Sequence, residues 1–410
     1  MADIIKQLDR TEYDLTLVET DVPCTIKIGG DDIATDGKFV PNINASKWDD
    51  EFWFNINFPA AVSIEKETFV DGVIELNVDG LIHRFYPKEI VRDYVDIQTS
   101  VEGLEYEIEY NKRPPDEIHL NITHAEGVYF VHQPTLEEDY NLNPLNYKTI
   151  EEYLENHTRP ENIINSYAVR CNKRNNQYKI GKICHIERSS ITDATRRKAW
   201  CEQSITPTSP TNALWTIRPP KEFLENAIYP VKIGPIIGND DSPTSDQTMS
   251  TDYIWSSRFA CVANGSTAQA DWYACIYCTT ASAVIEMAVY SDVSGTISGG
   301  THLSSNETSY TCSLNDYGHF GGTLTPPAFS NGTDYWLALA RDTNGVVKIR
   351  YDTETYNDME QEPYDFDTIW PETFPEPEAP VARNYGLYID YTEAGAPSGI
   401  VVLRRRREDC

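Results

Sequence analysis

The sequence has little basic charge and lacks long apolar runs. Its 410 residues include 34 Lys and Arg against 64 Asp and Glu, for a net charge of -30. Such a charge repels phosphate backbones and argues against direct binding of nucleic acid. No stretch approaches the roughly 20 consecutive apolar residues that cross a bilayer, so we expect no membrane span.

We also expect no secretory signal, because the start Met1–Lys6 leads into no apolar core of signal-peptide length. We therefore expect synthesis and folding in a host cytoplasm. Nine cysteines form an odd set, and in a reducing compartment they are most simply free thiols.

Recognisable catalytic motifs are absent: there is no nucleophile elbow, zinc-protease helix, phosphate loop or dinucleotide fingerprint. We therefore expect no enzyme and no cofactor. A glycosidase stays an alternative, because its two carboxylates need not be close in sequence. Cys184 and His185 are adjacent on a predicted strand and would point to opposite faces, which is poor geometry for a nucleophile and its base.

Two metal sites are conceivable. Cys275 and Cys278 have the spacing of a zinc half-site, but no second such pair completes four ligands, so buried thiols are favoured. Calcium could bind Asn239, Asp240 and Asp241 with Asp246, although their spacing does not match an EF-hand, and an unliganded linker is favoured.

What the sequence does contain is period-two hydrophobic alternation. Leu104, Tyr106, Ile108 and Tyr110 alternate with three glutamates, a pattern typical of half-buried antiparallel strands with one wet face. Similar runs recur throughout the chain. The fold class predicted is all-β, with tandem antiparallel β-sandwich or jelly-roll-like domains and few short helices, among them one over 150–157 capped by Thr149.

Turn signals and composition divide the chain into five parts. They predict an N-terminal β domain (1–100), a middle β domain (101–236), a linker (237–249), a C-terminal β-sandwich (250–396) and an extended Arg-rich tail (397–410).

Basic residues are concentrated in the middle domain. This charge indicates either a complementary contact, between domains or between copies, or solvated hairpin faces. The residues are Arg170, Lys173, Arg174, Lys179, Lys182, Arg188, Arg196, Arg197 and Lys198.

An aromatic and acidic loop over 362–375 is a candidate glycan site. Tyr364, Trp370 and Phe374 could stack on sugar rings while neighbouring carboxylates accept sugar hydroxyls. The alternative is that Trp370 and Phe374 are buried and close the sandwich.

The tail is a candidate assembly element. Four apolar residues could add a strand to an open sheet edge of a neighbour, and four arginines could pair with acidic groups there. The alternative is a frayed chain end. The residues are Ile400, Val401, Val402, Leu403, Arg404, Arg405, Arg406 and Arg407.

Four stretches of the middle domain are distinctive: PENIINSYAV (160–169), NNQYKIGK (175–182), HIER (185–188) and FLENAIYPV (223–231). Through them the middle domain resembles uncharacterised virion-associated β-proteins of tailed phages and environmental viruses. The C-terminal domain resembles appended β-sandwich modules through NGTDYWLAL (331–339). The resemblance implies a virion component and brings no catalytic residue with it.

The first hypothesis is therefore a structural component of a tailed virus particle, in head decoration, neck, tail or fibre. Its expected partners are copies of itself, as a homo-oligomer, and other virion proteins. It would be made in the host cytoplasm and located in the virion. The alternatives are a carbohydrate-binding adhesin or receptor-binding protein that contacts cell-surface glycans, and then a polysaccharide hydrolase.

Overall fold

The computed structural model describes most of the chain. The described residues are 4–6, 13–17, 24–29, 42–57, 66–78, 80–94, 97–142, 149–172, 180–238, 242–251, 253–261, 264–354, 359–363, 370–374, 379–381, 383–391 and 394. For 4–6, 13–17, 66–68, 78, 359–363 and 379–381 only the backbone is described.

Within those ranges the chain forms 33 strands. The first half contains β1 (Ile4–Lys6), β2 (Tyr13–Leu17), β3 (Cys24–Ile28), β4 (Asn42–Lys47), β5 (Phe52–Asn57), β6 (Lys66–Val70), β7 (Val73–Val78), β8 (Leu81–Asp93), β9 (Gln98–Tyr110), β10 (Ile118–His124), β11 (Val128–Gln133), β12 (His157–Thr158), β13 (Ser166–Cys171), β14 (Lys182–Ile186), β15 (Ser190–Thr192) and β16 (Lys198–Trp200).

The second half contains β17 (Glu202–Ser209), β18 (Asn212–Arg218), β19 (Val231–Gly234), β20 (Ile236–Gly238), β21 (Ser245–Thr248), β22 (Tyr253–Ala260), β23 (Ala270–Cys278), β24 (Val284–Ser291), β25 (His302–Ser305), β26 (Tyr310–Thr311), β27 (Tyr317–Leu324), β28 (Asp334–Arg341), β29 (Val347–Thr353), β30 (Met359–Pro363), β31 (Ala379–Val381), β32 (Arg383–Tyr385) and β33 (Leu387–Asp390).

Three short helices complete the described elements: α1 (Leu136–Leu142), α2 (Ile150–Asn156) and α3 (Lys221–Glu225). The predicted cap of α2 is present, since the Glu152 amide donates to the Thr149 hydroxyl at 3.3 Å. The all-β prediction with few short helices is confirmed. Jelly-roll connectivity stays a prediction.

The first sandwich consists of sheets 1 and 2. Sheet 1 has the strand order β1-β2-β3-β4-β5-β10-β18-β17. Sheet 2 runs β11-β13-β14-β20-β9-β19-β15-β16, and β8, β7 and β6 continue it on the other side of β9. One buried core lies between the two sheets and includes Phe54 and Trp215 from sheet 1 with Leu104, Ile108 and Val169 from sheet 2.

The predicted boundary at residue 100 is wrong. It falls inside β9, which pairs with β8 over a 12-residue register from Asp93↔Gln98 to Ile82↔Glu109. β5 likewise pairs with β10. The ranges 1–100 and 101–236 therefore share both sheets and one core. Alternation showed which residues form strands but not which strands pair, because pairing partners are distant in sequence.

The second sandwich consists of sheets 3 and 4. Sheet 3 runs β12-β21-β29-β23-β27, with β32 beside β29 and β33 beside β23. Sheet 4 runs β25-β24-β28-β22-β30-β31, with β26 beside β24. Their shared core includes Trp272, Ile276 and Ile349 from sheet 3 with Met287 and Leu337 from sheet 4.

The described part of the predicted linker 237–249 includes strands of two sheets. β20 pairs with β9 and β14 in sheet 2, and β21 pairs with β29 in sheet 3. β21 also pairs with β12, as His157↔Gln247 and Thr158↔Asp246. A strand from the first half of the chain thus belongs to sheet 3, which ties the two sandwiches together through backbone hydrogen bonds.

Candidate functional site

The outer face of sheet 2 carries charged side chains from several of its strands. Tyr106, Val169 and Cys184 lie in the first core. Their neighbours Glu105, Arg170 and His185 therefore point to the opposite face, because side chains alternate along a strand. The second sandwich covers one part of this face and leaves another part open. We call the covered part the seam and the open part the open face.

Asp352 is the centre of one ionic cluster in the seam. Ile349 and Tyr351 of β29 lie in the second core, so Asp352 points out of sheet 3 towards sheet 2. Its carboxylate lies 2.6 Å from Arg170 Nη2 and 3.2 Å from Lys182 Nζ, with all three side chains fully buried. The Thr244 amide and hydroxyl donate to it at 2.8 and 2.7 Å. Two cations from one sandwich thus bind one carboxylate from the other.

Asp139 on α1 is the centre of the second cluster. Its Oδ2 accepts from the hydroxyls of Tyr153 at 2.7 Å and Tyr351 at 3.2 Å. Arg159 Nη2 lies 3.4 Å away and Arg383 Nη2 3.3 Å away, again with no exposed side-chain surface. Tyr351 and Arg383 come from the second sandwich, so this cluster also joins the two halves of the chain.

Further contacts complete the seam. Gln133 exchanges two hydrogen bonds with the backbone of Thr353, at 2.9 and 3.2 Å. The Arg350 guanidinium donates to the hydroxyls of Tyr94 and Tyr317 and stacks on both rings, at 5.0 and 4.5 Å from their centroids. Residues far apart in sequence are therefore held in one geometry by directional contacts.

The central carboxylates of the two seam clusters, Asp139 and Asp352, are held in the charged state. Burial opposes ionisation of Asp139, but Arg383, Arg159 and the Tyr153 hydroxyl outweigh it and lower its pKa to about 2. Burial likewise acts against Asp352, and Lys182 and Arg170 lower its pKa below the usual range.

Two histidines in the seam are held neutral. Burial, followed by the charge of Arg383, lowers the pKa of His157 well below its ordinary value. Burial together with Lys182 and Arg92 does the same to the pKa of His185. The His185 Nε2 lies 2.6 Å from the Ser166 hydroxyl, and both residues are fully buried. This pair of side chains is therefore closed to a substrate in this structure.

The open face carries ion pairs of similar length. Arg84 lies 2.7 Å from Glu109, 2.9 Å from Glu107 and 2.9 Å from Glu75. The predicted wet face of β9 is thus partly covered, since Glu107 and Glu109 side chains are only 10% and 12% exposed. Cations on flanking strands, including Lys232 at 2.9 Å from Glu107, account for this cover.

The basic residues of the middle domain separate into two groups. Arg170 and Lys182 make the complementary contact between sandwiches that was one of the two predicted roles. Arg197 and Lys198 are instead exposed near β16. Lys173, Arg174 and Lys179 lie outside the described residues.

The two described aromatic side chains of the candidate glycan loop are buried, whereas Glu372 and Thr373 between them are exposed. Trp370 and Phe374 are 7% and 1% exposed and pack with Tyr290 and Trp336 on the outer face of sheet 4. The Phe374 ring contacts Tyr290 edge to face at 5.0 Å. Both rings are buried, as in the alternative prediction, but they cover the outer face of sheet 4 and do not lie in the core between the two sheets. Tyr364 lies outside the described residues, as do all eight tail residues, 400–407.

The thiols are buried where they are described. Eight cysteines, including Cys184, Cys275 and Cys278, are free and buried, and Cys410 is outside the described residues. Within the described ranges no three His, Cys, Asp or Glu side chains are arranged to hold a metal ion. Asp246 of the proposed calcium set lies in β21 opposite Arg350, while residues 239–241 are outside the described ranges.

The comparisons add no family name. No protein-family model and no curated protein matches the chain. Among the described helices, none combines the length and apolarity needed to cross a membrane.

Sequence reasoning missed Asp139, Arg159 and Arg383. One local signal was available for Asp139: Thr135 and Glu138 form a capping box at the start of α1, with the Glu138 amide donating to the Thr135 hydroxyl at 3.1 Å. No local signal marked Arg383, whose partner Asp139 is 244 positions away.

Proposed function

We propose that the chain is a structural component of a tailed virus particle, acting through assembly contacts in the head decoration, neck, tail or fibre. On this proposal its partners are further copies of itself and other virion proteins, and its location is the virion. The resemblance of the middle segment suggested this class of protein.

The observation that supports the proposal best is the buried seam. Interfaces between domains of one chain are ordinarily polar and permit relative motion. Here the strand pair β12–β21 and two buried ionic clusters hold the sandwiches in one orientation. Buried ion pairs add little net stability, but they favour one geometry because every mismatched arrangement leaves a charge unpaired. A fixed geometry suits a repeated building block.

A second supporting observation is the position of four groups whose pKa values are strongly shifted. Asp139, Asp352, His157 and His185 are all buried in the seam. Perturbed pKa values often mark reactive sites, but structural ion-pair networks also produce them. Their position between two sandwiches favours the structural role.

The test is incorporation into particles. In a culture that produces the particles, the native chain should co-purify with them at a fixed stoichiometry by quantitative mass spectrometry, and label attached to it should appear at repeated positions by electron microscopy. Finding the chain only as a dispersed monomer, absent from purified particles, would refute the proposal.

Matched variants sharpen this test. Asp352→Asn should loosen the seam and reduce incorporation, whereas Glu75→Gln on the open face should leave incorporation at the native level. Circular dichroism should first show that both variants fold. Equal incorporation of two folded variants would mean that the seam geometry does not serve assembly.

A further inference from the structure

A polar pocket opens on the outer face of sheet 2, where β9, β19 and β15 lie side by side. Its volume is about 380 Å³, within the range of small-ligand sites. Its lining is mainly polar and charged, with Glu105, Glu107, Ser190, Thr192, Arg196 and Lys232 among the residues. Such a lining disfavours an apolar or aromatic ligand.

The floor of the pocket exists because residue 234 is glycine. A Cβ at Gly234 would lie 2.8 Å from Glu105 Oε1. Ser190 is paired with Gly234 in the register of β15 and β19, so a side chain here would fill the space between β9 and β15. The backbone of Gly234 is not left-handed, so a larger residue would fill the pocket without backbone strain.

The walls combine fixed acceptors with hydroxyls. Glu105 is held by Lys88 at 2.8 Å, and Glu107 by Arg84 and Lys232 at 2.9 Å each. Carboxylates positioned in this way can still accept hydrogen bonds from ligand hydroxyls, since each carries about four lone-pair sites. The hydroxyls of Ser190 and Thr192 can donate or accept beside them.

Asp193 forms a rigid side of the pocket. It accepts from the Thr195 amide and hydroxyl at 2.9 and 2.7 Å and from two nitrogens of Arg197 at 2.9 and 2.7 Å. The turn that contains Thr195 and Arg197 is fixed by these bonds, and it places Arg196 at the edge of the pocket.

Arg196 is the group that this fixed turn presents to a ligand. Its φ of 67° is in the left-handed region that non-glycine residues seldom adopt. It is exposed, and within the described part of the chain its guanidinium makes no hydrogen bond or ion pair. A guanidinium without a partner, beside a pocket, is suited to bidentate binding of a carboxylate.

We propose that this pocket binds a sugar unit that carries one carboxylate, such as a uronic or sialic acid. The ring hydroxyls would donate to Glu105 and Glu107, and the sugar carboxylate would accept from Arg196. Three lining carboxylates against two cations disfavour a doubly charged phosphate ligand. The proposal does not depend on the assembly role, and it places a glycan contact on sheet 2, whereas the buried rings of Trp370 and Phe374 pack on sheet 4.

The experiment compares ligands that share a ring but differ in charge. Saturation-transfer NMR and calorimetry would be run on the full chain with glucuronate, galacturonate, N-acetylneuraminate, glucose and glucose 6-phosphate. At least one acidic sugar should bind. For glucuronate, affinity should exceed that for glucose about 10-fold or more, the value of one charge-assisted hydrogen bond. Binding of none of the acidic sugars, or tighter binding of glucose 6-phosphate, would overturn the proposal.

Variants assign any binding to the pocket. Arg196→Gln should remove the preference for an acidic over a neutral sugar, and Gly234→Val should abolish binding of both. The matched control is Arg113→Gln, an exposed arginine that pairs with Asp116 and does not line the pocket, which should bind like the native chain. If Gly234→Val does not fold, the exposed Arg196 variant still decides. An unchanged preference in that variant would contradict the assigned role.

Free sugars and the same sugars at glycan termini, immobilised on an array, then distinguish the two sources of the ligand.

Discussion

The seam and the open face present the same kind of ion pair on one face of one sheet, in different surroundings. Arg170 and Asp352 lie 2.6 Å apart with no exposed side-chain surface. Arg84 and Glu109 lie 2.7 Å apart, with 20% and 12% of their side chains exposed. The two distances are nearly equal, so they cannot predict how much stability is lost when each pair is broken. Burial can, because an unpaired charge in the seam has no access to water.

The largest loss of folding stability is expected from Asp352→Asn. The variant keeps the side-chain size but removes the carboxylate that pairs with Lys182 and Arg170, and it leaves Arg170 only the more distant Glu354, at 3.6 Å. Breaking a buried pair by removing one partner costs about 3–5 kcal/mol. Chemical denaturation followed by tryptophan fluorescence and by circular dichroism should show the loss. A decrease of less than about 1 kcal/mol would mean that water or a rearrangement compensates the two cations, and the seam would then not differ from the open face.

The cluster around Asp352 also shows which features could be predicted from the sequence and which could not. Alternation correctly assigned Leu104, Tyr106 and Ile108 to a core-facing side of a strand, and local capping chemistry located α2. Those features depend on neighbours in sequence. What covers the opposite face depends on Asp352, which lies 182 positions from Arg170.

The error in the domain boundaries has the same origin. A turn signal ends a strand, but it does not reveal whether the next strand joins the same sheet. β8 and β9 pair with each other in sheet 2, and just after β8 the Tyr94 amide donates to the Ile97 carbonyl at 2.9 Å. The Tyr94 side chain then contacts Arg350 of the second sandwich. Composition instead suggests an independent unit on each side.

A second, smaller loss of folding stability is expected when the pH is lowered. His157 and His185 are neutral in the folded protein because their pKa values are lowered. The unfolded chain takes up protons at these residues below its ordinary pKa of about 6.5, so stability should fall as pH decreases from there. Burial lowers the pKa of His83, in the first sandwich, to about 4, which adds to the same decrease.

Asp139 contributes to the pH dependence of stability in a lower pH range. Its folded pKa of about 2 lies below the ordinary value of 3.8, so its contribution is complete above the ordinary value and is lost as pH falls towards 2. Denaturant midpoints measured from pH 8 to pH 2 should therefore decline in two stages. His157→Gln should reduce the first stage and leave the second. A flat profile between pH 6.5 and pH 4 would contradict the neutral state of the seam histidines.

The smallest effect is expected from Glu75→Gln on the open face. Glu75 lies 2.9 Å from Arg84, but 37% of its side chain is exposed, and Arg84 keeps Glu107 and Glu109 as partners. Exposed pairs are typically worth about 0.2–1 kcal/mol, and salt screens them. The variant should lose no more than that at low salt, and the difference from the native chain should shrink further at 1 M sodium chloride. The seam variant Asp352→Asn should keep its deficit at both salt concentrations, because ions do not enter a buried cluster. If Glu75→Gln were as costly as Asp352→Asn, or equally insensitive to salt, exposure would not explain the contrast, and cooperation among the three glutamates around Arg84 would have to take its place.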